Sequence, residues 1–183
     1  MDQIYIDKVL AGDPYAFRYF LTTYKHMAYS VAHSIVKQEH LAEEVVQDAF
    51  MRCYQSLAKF KRQSKFSTWF YRIVVNCAFS TIRRLKPESV TFDLQEHDLI
   101  WDENAFDRLV KKEQEQVVQE ALVQLPANEA LALRLYYLEE LAIQELCEIT
   151  GWTDSNAKVI LFRARKHLYS VLCRLMKEEY YGT

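Results

Sequence analysis

The sequence predicts an all-α protein made of two small helical domains joined by an acidic linker. Only three glycines and three prolines occur among the 183 residues, which leaves little turn chemistry for a multi-stranded sheet. Hydrophobic residues make up 50% of the chain and charged residues 26%, so a packed core is expected rather than wholesale disorder. Apolar residues recur at steps of three and four, which is the period of an amphipathic helix.

The first part of the chain has the periodicity of three helices. Asp13 followed by Pro14 is the first strong helix start, because Asp accepts hydrogen bonds from first-turn amides and proline lacks an N–H that would stay unpaired. The apolar face of this helix contains Phe17, Phe20, Leu21, Tyr24, Ala28, Val31, Ala32 and Ile35. A second helix is predicted over roughly residues 40–60. A third runs from Thr68 to about Leu85, with Ser67 as its N-cap.

The predicted second helix has two chemically distinct sides. Its apolar side contains Leu41, Val45, Ala49, Cys53 and Leu57. Its polar side, over the first half, contains Glu43, Glu44, Gln47 and Asp48. Such a polar face is either the solvated side of an amphipathic helix or a contact surface for a partner.

Helical periodicity fades after Pro87 and resumes near Phe106. The intervening residues 88–105 are acidic and are predicted to form an extended linker. The resumed helix ends at Pro126, and Asn128 with Glu129 fits the opening of another helix through Leu138. The predicted domains are therefore residues 1–86 and 107–183, with the linker at residues 87–106.

The remaining residues contain the pattern of a helix-turn-helix. A helix over Leu141–Thr150, with Leu146 and Cys147 facing inward, is followed by Gly151, which can adopt the positive φ that the turn needs. Thr153, Asp154 or Ser155 can cap the next helix, which extends to about Met176. That helix can lie in the major groove of DNA. An ordinary helical hairpin with a solvated basic face is the alternative.

The net charge of −2 hides two cationic blocks. Residues 49–87 contain no Asp or Glu but nine Lys or Arg, and residues 155–177 contain no acid but six Lys or Arg. Between them, residues 88–103 carry six acids and no Lys or Arg. Two acid-free stretches of this length favour a polyanionic partner such as a nucleic acid.

The four cysteines, Cys53, Cys77, Cys147 and Cys173, are widely separated and form no CxxC pair. They are expected to be ordinary reduced thiols, and neither structural zinc nor any other cofactor is expected. The sequence shows no signal peptide and no apolar run of the length of a membrane span, which predicts a cytoplasmic protein without membrane insertion.

Three stretches resemble extracytoplasmic-function (ECF) sigma factors, members of the sigma-70 family, over nearly the full length of the chain. Residues 41–54, LAEEVVQDAFMRCY, are similar to the helix with which that family binds the polymerase clamp. Residues 66–78, FSTWFYRIVVNCA, are close to the family pattern F-x-T-W-L-Y-R-I-A-x-N. Residues 161–168, LFRARKHL, resemble the end of the family's promoter-reading helix.

The resemblance implies a role for each domain. The first domain would bind core RNA polymerase and recognise and melt the minus-ten element, and the second would read the minus-thirty-five element as duplex. The linker would thread towards the polymerase active site. The regulon would be one of stress or envelope response, and an anti-sigma factor would hold the protein inactive.

The roles that the resemblance implies fall on three sets of residues. The set expected to contact minus-ten DNA is Lys61, Arg62, Gln63, Ser64, Lys65, Trp69, Arg72, Asn76, Arg83 and Arg84. The set expected to contact minus-thirty-five DNA is Ser155, Asn156, Lys158, Arg163, Arg165 and Lys166. The set expected to bind core polymerase is Leu41, Glu44, Val45, Gln47, Asp48 and Met51.

Physical chemistry supports the minus-ten assignment independently. Single strands are held by cationic grooves with aromatic platforms on which bases stack. The basic segment Lys61–Lys65, followed by Phe66, Trp69, Phe70 and Tyr71, supplies both ingredients. Phe70 and Trp69 are also expected to take part in core packing, because aromatic residues at helical spacing are more often core than stacking surface. Asn76 could equally bind a base or bridge two helices.

The sequence departs from the family pattern in the promoter-reading helix. Where relatives often have Lys-Ser-Arg-Leu, this chain has Lys158-Val159-Ile160-Leu161. The change removes a hydroxyl and a guanidinium that could contact phosphate. Trp152 and Asp154 also stand where smaller residues are common, and Asp154 would repel phosphate unless it caps the helix.

Two other functions compete with this interpretation. The first is a stand-alone helix-turn-helix regulator of duplex DNA, which would not need the basic loop with adjacent aromatic residues. The second is an enzyme, which the absence of a ligand-spaced histidine cluster, phosphate-cradling glycine loop or nucleophile motif argues against.

Overall fold

The computed structural model describes residues 1–85 and 115–181, and within them every regular element is helical. The α-helices in these two ranges are α1 (Asp2–Leu10), α2 (Arg18–Val36), α3 (Glu39–Ser56), α4 (Phe66–Leu85), α5 (Glu115–Gln124), α6 (Ala127–Leu133), α7 (Ile143–Thr150) and α8 (Asp154–Tyr181). Single 3₁₀ turns lie at Pro14–Phe17 and Leu57–Lys59, and a π-helical turn lies at Arg134–Leu138. The all-α fold class is confirmed. The predicted linker at residues 87–106 and the predicted helix start near Phe106 lie outside the described residues.

The chain divides into two compact units. The N-terminal unit contains α1 to α4, and α2, α3 and α4 all pack against one another. Aromatic rings fill its centre: the ring centroids of Phe20 and Phe66 are 4.4 Å apart, and those of Phe50 and Phe70 are 4.7 Å apart. Each of the three long helices contributes at least one of these rings, so the cluster fixes their mutual positions.

Helix α1 was not predicted from the sequence, in which no element was placed before Asp13. Ile6 is its one buried side chain. The helix is also held by Asp2, which accepts hydrogen bonds from the hydroxyls of Tyr19 at 2.8 Å and Tyr24 at 2.7 Å, and by Tyr5, whose ring stacks on that of Tyr19 with 4.0 Å between centroids. These partners are distant in sequence, so the local pattern of residues 2–10 carries no sign of them.

The structure confirms one predicted helix start, at Asp13, and contradicts another, at Ser67. Asp13 accepts from the amides of Tyr15 and Ala16 at 3.0 and 3.3 Å and caps the 3₁₀ turn that leads directly into α2, as expected. The prediction of Ser67 as an N-cap is wrong, because α4 already begins at Phe66 and Ser67 lies in its first turn. Phe66 is buried among the rings, and this packing outweighs a hydroxyl cap in setting where the helix begins.

The second unit contains α5, α6 and α8, and both α5 and α6 pack against α8. Its core consists of Val118, Ala121, Leu122, Leu125, Ala130, Leu133, Ala164, Leu168, Val171 and Leu172. Pro126 separates α5 from α6, as predicted. His167 Nδ1 lies 2.6 Å from Glu129 Oε2, and this partly buried contact joins α8 to α6.

All four cysteines lie in the described residues and form no disulfide with one another, and Cys53 and Cys77 are buried. Burial raises the pKa of the Cys53 thiol to about 12 and that of Cys77 to about 11, so both remain protonated at neutral pH.

Residues 1–85 and 115–181 contain no group of three or more His, Cys, Asp or Glu that could hold a metal ion. Within the same ranges, no helix combines the length and hydropathy of a membrane span.

We expect Phe70→Ala to destabilise the N-terminal unit by about 3–5 kcal/mol, because it leaves a cavity among the rings of α2, α3 and α4. Urea denaturation followed by circular dichroism measures the change. Tyr15→Ala is the matched control: Tyr15 is 88% exposed, and its replacement is expected to change the free energy of unfolding by less than about 0.5 kcal/mol. Equal effects of the two changes would contradict the ring cluster as the core of this unit.

Candidate nucleic-acid and partner surfaces

The basic loop, residues 61–65, connects the end of α3 and its 3₁₀ turn to α4, and all five of its side chains are exposed. Arg62 adopts a left-handed backbone conformation with φ of 60°. Its guanidinium lies 2.5 Å from the carboxylate of Asp7 in α1, which ties the loop to the N-terminal helix. Sequence reasoning missed this ion pair because its partners are 55 residues apart.

One face of α4 continues from the basic loop. Trp69, Arg72, Asn76 and Arg83 are separated by three, four and seven residues, so they share one side of the helix, with Arg84 beside them. Arg72, Asn76, Arg83 and Arg84 are exposed, whereas Phe70, Val74 and Cys77 are buried on other sides. We call this row, from Trp69 to Arg84, the α4 stripe. The ten residues predicted to contact minus-ten DNA therefore lie along the basic loop and the α4 stripe that follows it.

Trp69 is half-buried, so its ring can pack against the core and also face a nucleic acid, the two roles predicted for it. Its ring packs against Phe60 at 5.0 Å and Phe66 at 5.7 Å between ring centroids, while part of it faces solvent. An indole fixed in this way is a rigid platform beside a cationic loop, which is the arrangement that base stacking requires. Phe70 is fully buried and is a core residue only.

The predicted polymerase-binding residues of α3 divide between two sides of the helix. Glu44, Gln47, Asp48 and Met51 are exposed on the outer face, with Asp48 also paired to Arg52 at 3.0 Å. Leu41 and Val45 are buried. Those two side chains pack in the core of the unit and are shielded from solvent.

A largely apolar groove of about 570 Å³ adjoins the outer face of α3. Its walls come from α2 and α3 and from the turn before α2, and its lining includes Phe17, Leu21, Val46, Gln47, Phe50, Met51 and Tyr54. Leu21 was predicted to lie on the buried face of α2, but it is 42% exposed here. The groove was not predicted from the sequence. Met51 and Tyr54, two exposed apolar residues three positions apart, were a signal for it.

The predicted helix-turn-helix residues form the expected local geometry. Gly151 has φ of 77°, and its amide donates to the carbonyl of Cys147 at 2.8 Å, which closes α7. Of the three possible caps, Thr153 is the one used: its hydroxyl accepts from the Asn156 amide at 3.2 Å. Glu145 accepts from the backbone amide of Ala142 at the start of α7, so it acts as a helix cap.

Five of the six residues predicted to contact minus-thirty-five DNA are exposed on α8: Ser155, Asn156, Lys158, Arg163 and Lys166. Arg165 is half-buried at the edge of this face. Asp154 lies 2.6 Å from Lys158 one turn along the helix, so its carboxylate is neutralised locally. A negative charge at the N-terminus of a helix is also favourable to the helix dipole.

Family comparisons match both units. The model for Sigma-70 region 2 matches residues 20–88, which include the basic loop and the α4 stripe. The model for Sigma-70, region 4 matches residues 115–168, which include the helix-turn-helix.

Individual relatives cover almost the whole chain. The ECF RNA polymerase sigma factor SigW of Bacillus subtilis is 30% identical over 89% of this chain and 92% of its own length. SigM of the same organism is 33% identical over 85% of this chain and 94% of its own length. The ECF RNA polymerase sigma-E factor of Escherichia coli K12 is 29% identical over 90% and 91%. The chain therefore belongs to the ECF RNA polymerase sigma factors, a family of transcription initiation factors, and the resemblance found in the sequence is confirmed.

Solved structures share the fold. CnrH, in complex with the cytosolic domain of CnrY, has a TM-score of 0.66 and 20% identity over 94% of this chain and 97% of its own. The sigma factor RpoE of Bartonella quintana, in complex with the anti-sigma factor NepR, has a TM-score of 0.64 and 20% identity over 85% and 96%.

We expect Asp7→Asn to strengthen single-stranded DNA binding by the complex with core polymerase, because it frees Arg62 to contact a phosphate. In the wild-type protein a phosphate must displace Asp7 from Arg62, and removing that competition is expected to raise the affinity by up to about fivefold. The loss of one exposed ion pair lowers stability by at most about 1 kcal/mol. Fluorescence anisotropy with a labelled single strand over a salt series measures the affinity and its dependence on salt.

The control for this variant is Glu39→Gln, which removes the same charge from an exposed position of α3. A similar gain in affinity for both variants would mean that net charge, and not release of Arg62, is responsible.

Proposed function

We propose that this sigma factor uses three separate surfaces for its three tasks. The outer face of α3 and the adjoining groove bind core RNA polymerase. The basic loop and the α4 stripe recognise and melt the minus-ten element. The exposed face of α8 reads the minus-thirty-five element as duplex DNA. The proposed domain boundaries are residues 1–86 and 107–183, with the linker at residues 87–106.

The α4 stripe beside the basic loop is the observation that carries the proposal. It combines a cationic surface in an acid-free stretch of sequence with a fixed, part-exposed indole. Melted strands offer phosphates to such cations and unstacked bases to such a ring. Asn76, exposed in the middle of the stripe, is placed to hydrogen-bond a base edge or the backbone.

The polymerase contact is supported by the chemistry of α3. Apolar side chains around the groove can bury surface against a partner helix, Lys25 also lines it, and Glu44 with Asp48 adds negative charge to the exposed face of α3. Apolar centres with charged rims are typical of protein interfaces. The buried residues Leu41 and Val45 support this face from beneath.

A protein with these tasks acts in the cytoplasm and catalyses no reaction itself. An anti-sigma factor is a proposed partner, since the related RpoE of Bartonella quintana is found in complex with one. The regulon is proposed to be one of stress or envelope response.

A stand-alone regulator is not favoured, because the family match covers the N-terminal unit as well as the helix-turn-helix.

Run-off transcription with purified core polymerase on a genomic fragment library tests the function. We expect transcripts that depend on this protein and start at promoters sharing two sequence elements. Tight duplex binding by the protein alone, without such transcripts, would instead support the stand-alone regulator.

We expect the triple variant Lys61→Ala, Arg62→Ala, Lys65→Ala to impair promoter melting more than core binding. Losing three phosphate contacts lowers the salt slope of open-complex formation by about 2. Permanganate footprinting measures melting, and fluorescence titration measures core affinity. The control Lys8→Ala, Arg18→Ala removes cations from other exposed positions of the same unit. Equal losses of melting and core affinity would count against the assignment of the loop.

We expect Glu44→Lys with Asp48→Lys to weaken association with core polymerase about tenfold, because two charges on the exposed face of α3 are reversed. Both side chains are exposed, so the melting temperature should change little. Glu120→Lys with Glu140→Lys is the control, since it makes the same charge change on exposed positions of the second unit. Normal core affinity of the first variant would move the polymerase contact away from α3.

A further inference from the structure

The proposed DNA-reading face of α8 exposes two large apolar side chains at its centre. Val159 is 47% exposed and Phe162 is 46% exposed. Ser155, Val159, Phe162 and Lys166 are separated by four, three and four residues, so they form one row along the helix. Ala157, Leu161 and Ala164 are buried on the opposite side, so the row is not needed for the helix to pack.

Cations border this apolar row. Lys158 and Arg163 lie on its two sides, and Lys166 Nζ lies 4.9 Å from the centre of the Phe162 ring. Residues 155–177 contain no acid, and Asp154 at the start of the helix is paired with Lys158. The partner that matches this surface is anionic at its edges and apolar at its centre.

The major groove of DNA has this character wherever thymine occurs. Its phosphates line both sides, and the C5-methyl group of thymine is an apolar group on its floor. Cytosine, adenine and guanine carry no methyl group and present polar atoms there, whereas thymine presents its methyl group beside a single acceptor, O4. An aliphatic or aromatic side chain would desolvate those atoms without replacing their hydrogen bonds.

We propose that Val159 and Phe162 select thymine in the minus-thirty-five element by packing against its C5-methyl group. The inference rests on the proposed reading of that element by α8. It also explains the departure of residues 158–161 from the family pattern: a side chain at position 159 without hydrogen-bonding atoms reads a methyl group instead of a polar edge. Lys158, Arg163 and Lys166 supply the phosphate contacts that hold the helix in register.

Replacing thymine by uracil removes the methyl group and leaves every hydrogen-bonding atom in place. The experiment uses the full-length protein with core polymerase on a promoter found by run-off transcription, with each minus-thirty-five thymine of both strands changed singly to deoxyuridine. We expect about fourfold weaker promoter binding at one or two positions, which corresponds to burial of a single methyl group.

Val159→Ala and Phe162→Ala should abolish this discrimination between thymine and uracil. Both positions are exposed in a helix, so the variants should fold, and circular dichroism checks this. Leu138→Ala, at an exposed apolar position outside α8, is the control and should retain the full uracil effect.

Equal binding of thymine and uracil at every position, with transcription intact, would overturn the proposal and leave the sigma function standing. If Val159→Ala lowered core polymerase affinity without altering the uracil effect, the row would face a protein, and the proposal would also be wrong. The absence of any protein-dependent transcript would count against the proposed function itself, and with it against this inference. A uracil effect that disappears in Val159→Ala or Phe162→Ala but persists in Leu138→Ala would support it.

Discussion

The packing of aromatic rings in the N-terminal unit is the interaction on which its surfaces depend. Phe20, Phe50, Phe66 and Phe70 lock α2, α3 and α4 together. The basic loop is held between Phe60, whose ring contacts Phe66, and the first turn of α4. Because the rings are buried and close-packed, the loop and Trp69 are presented at defined positions even though they are exposed.

Electrostatics then divides this unit into surfaces of opposite character. Acidic residues of α3 point outward beside an apolar groove, and the cations of α4 follow a different helix face. Asp7 is an exception, because it brings a carboxylate from α1 onto the basic loop. An exposed ion pair of this kind is weak enough for phosphate to displace, so it can position Arg62 without blocking nucleic acid.

Predictions from the sequence succeeded where the signal was local and failed where it was tertiary. The amphipathic pattern placed α2, α3, α4 and α8 within a few residues of their observed bounds, and the turn at Gly151 was found from its chemistry. Helix α1 was missed because its contacts are with residues distant in sequence, among them those of Asp2 with Tyr19 and Tyr24. The exposure of Leu21 was also missed, since apolar periodicity does not show where a neighbouring helix stops covering a face.

The sequence by itself determined the helical class, the family and the chemical character of each candidate surface, because periodicity, motif order and charge distribution are properties of the linear chain. Only the tertiary structure decided which predicted residues share a surface. Helix packing turned Leu41 and Val45 inward, opened the groove beside Met51, and paired Arg62 with Asp7. Those outcomes depend on side chains distant in sequence, whose proximity exists only once the helices are assembled.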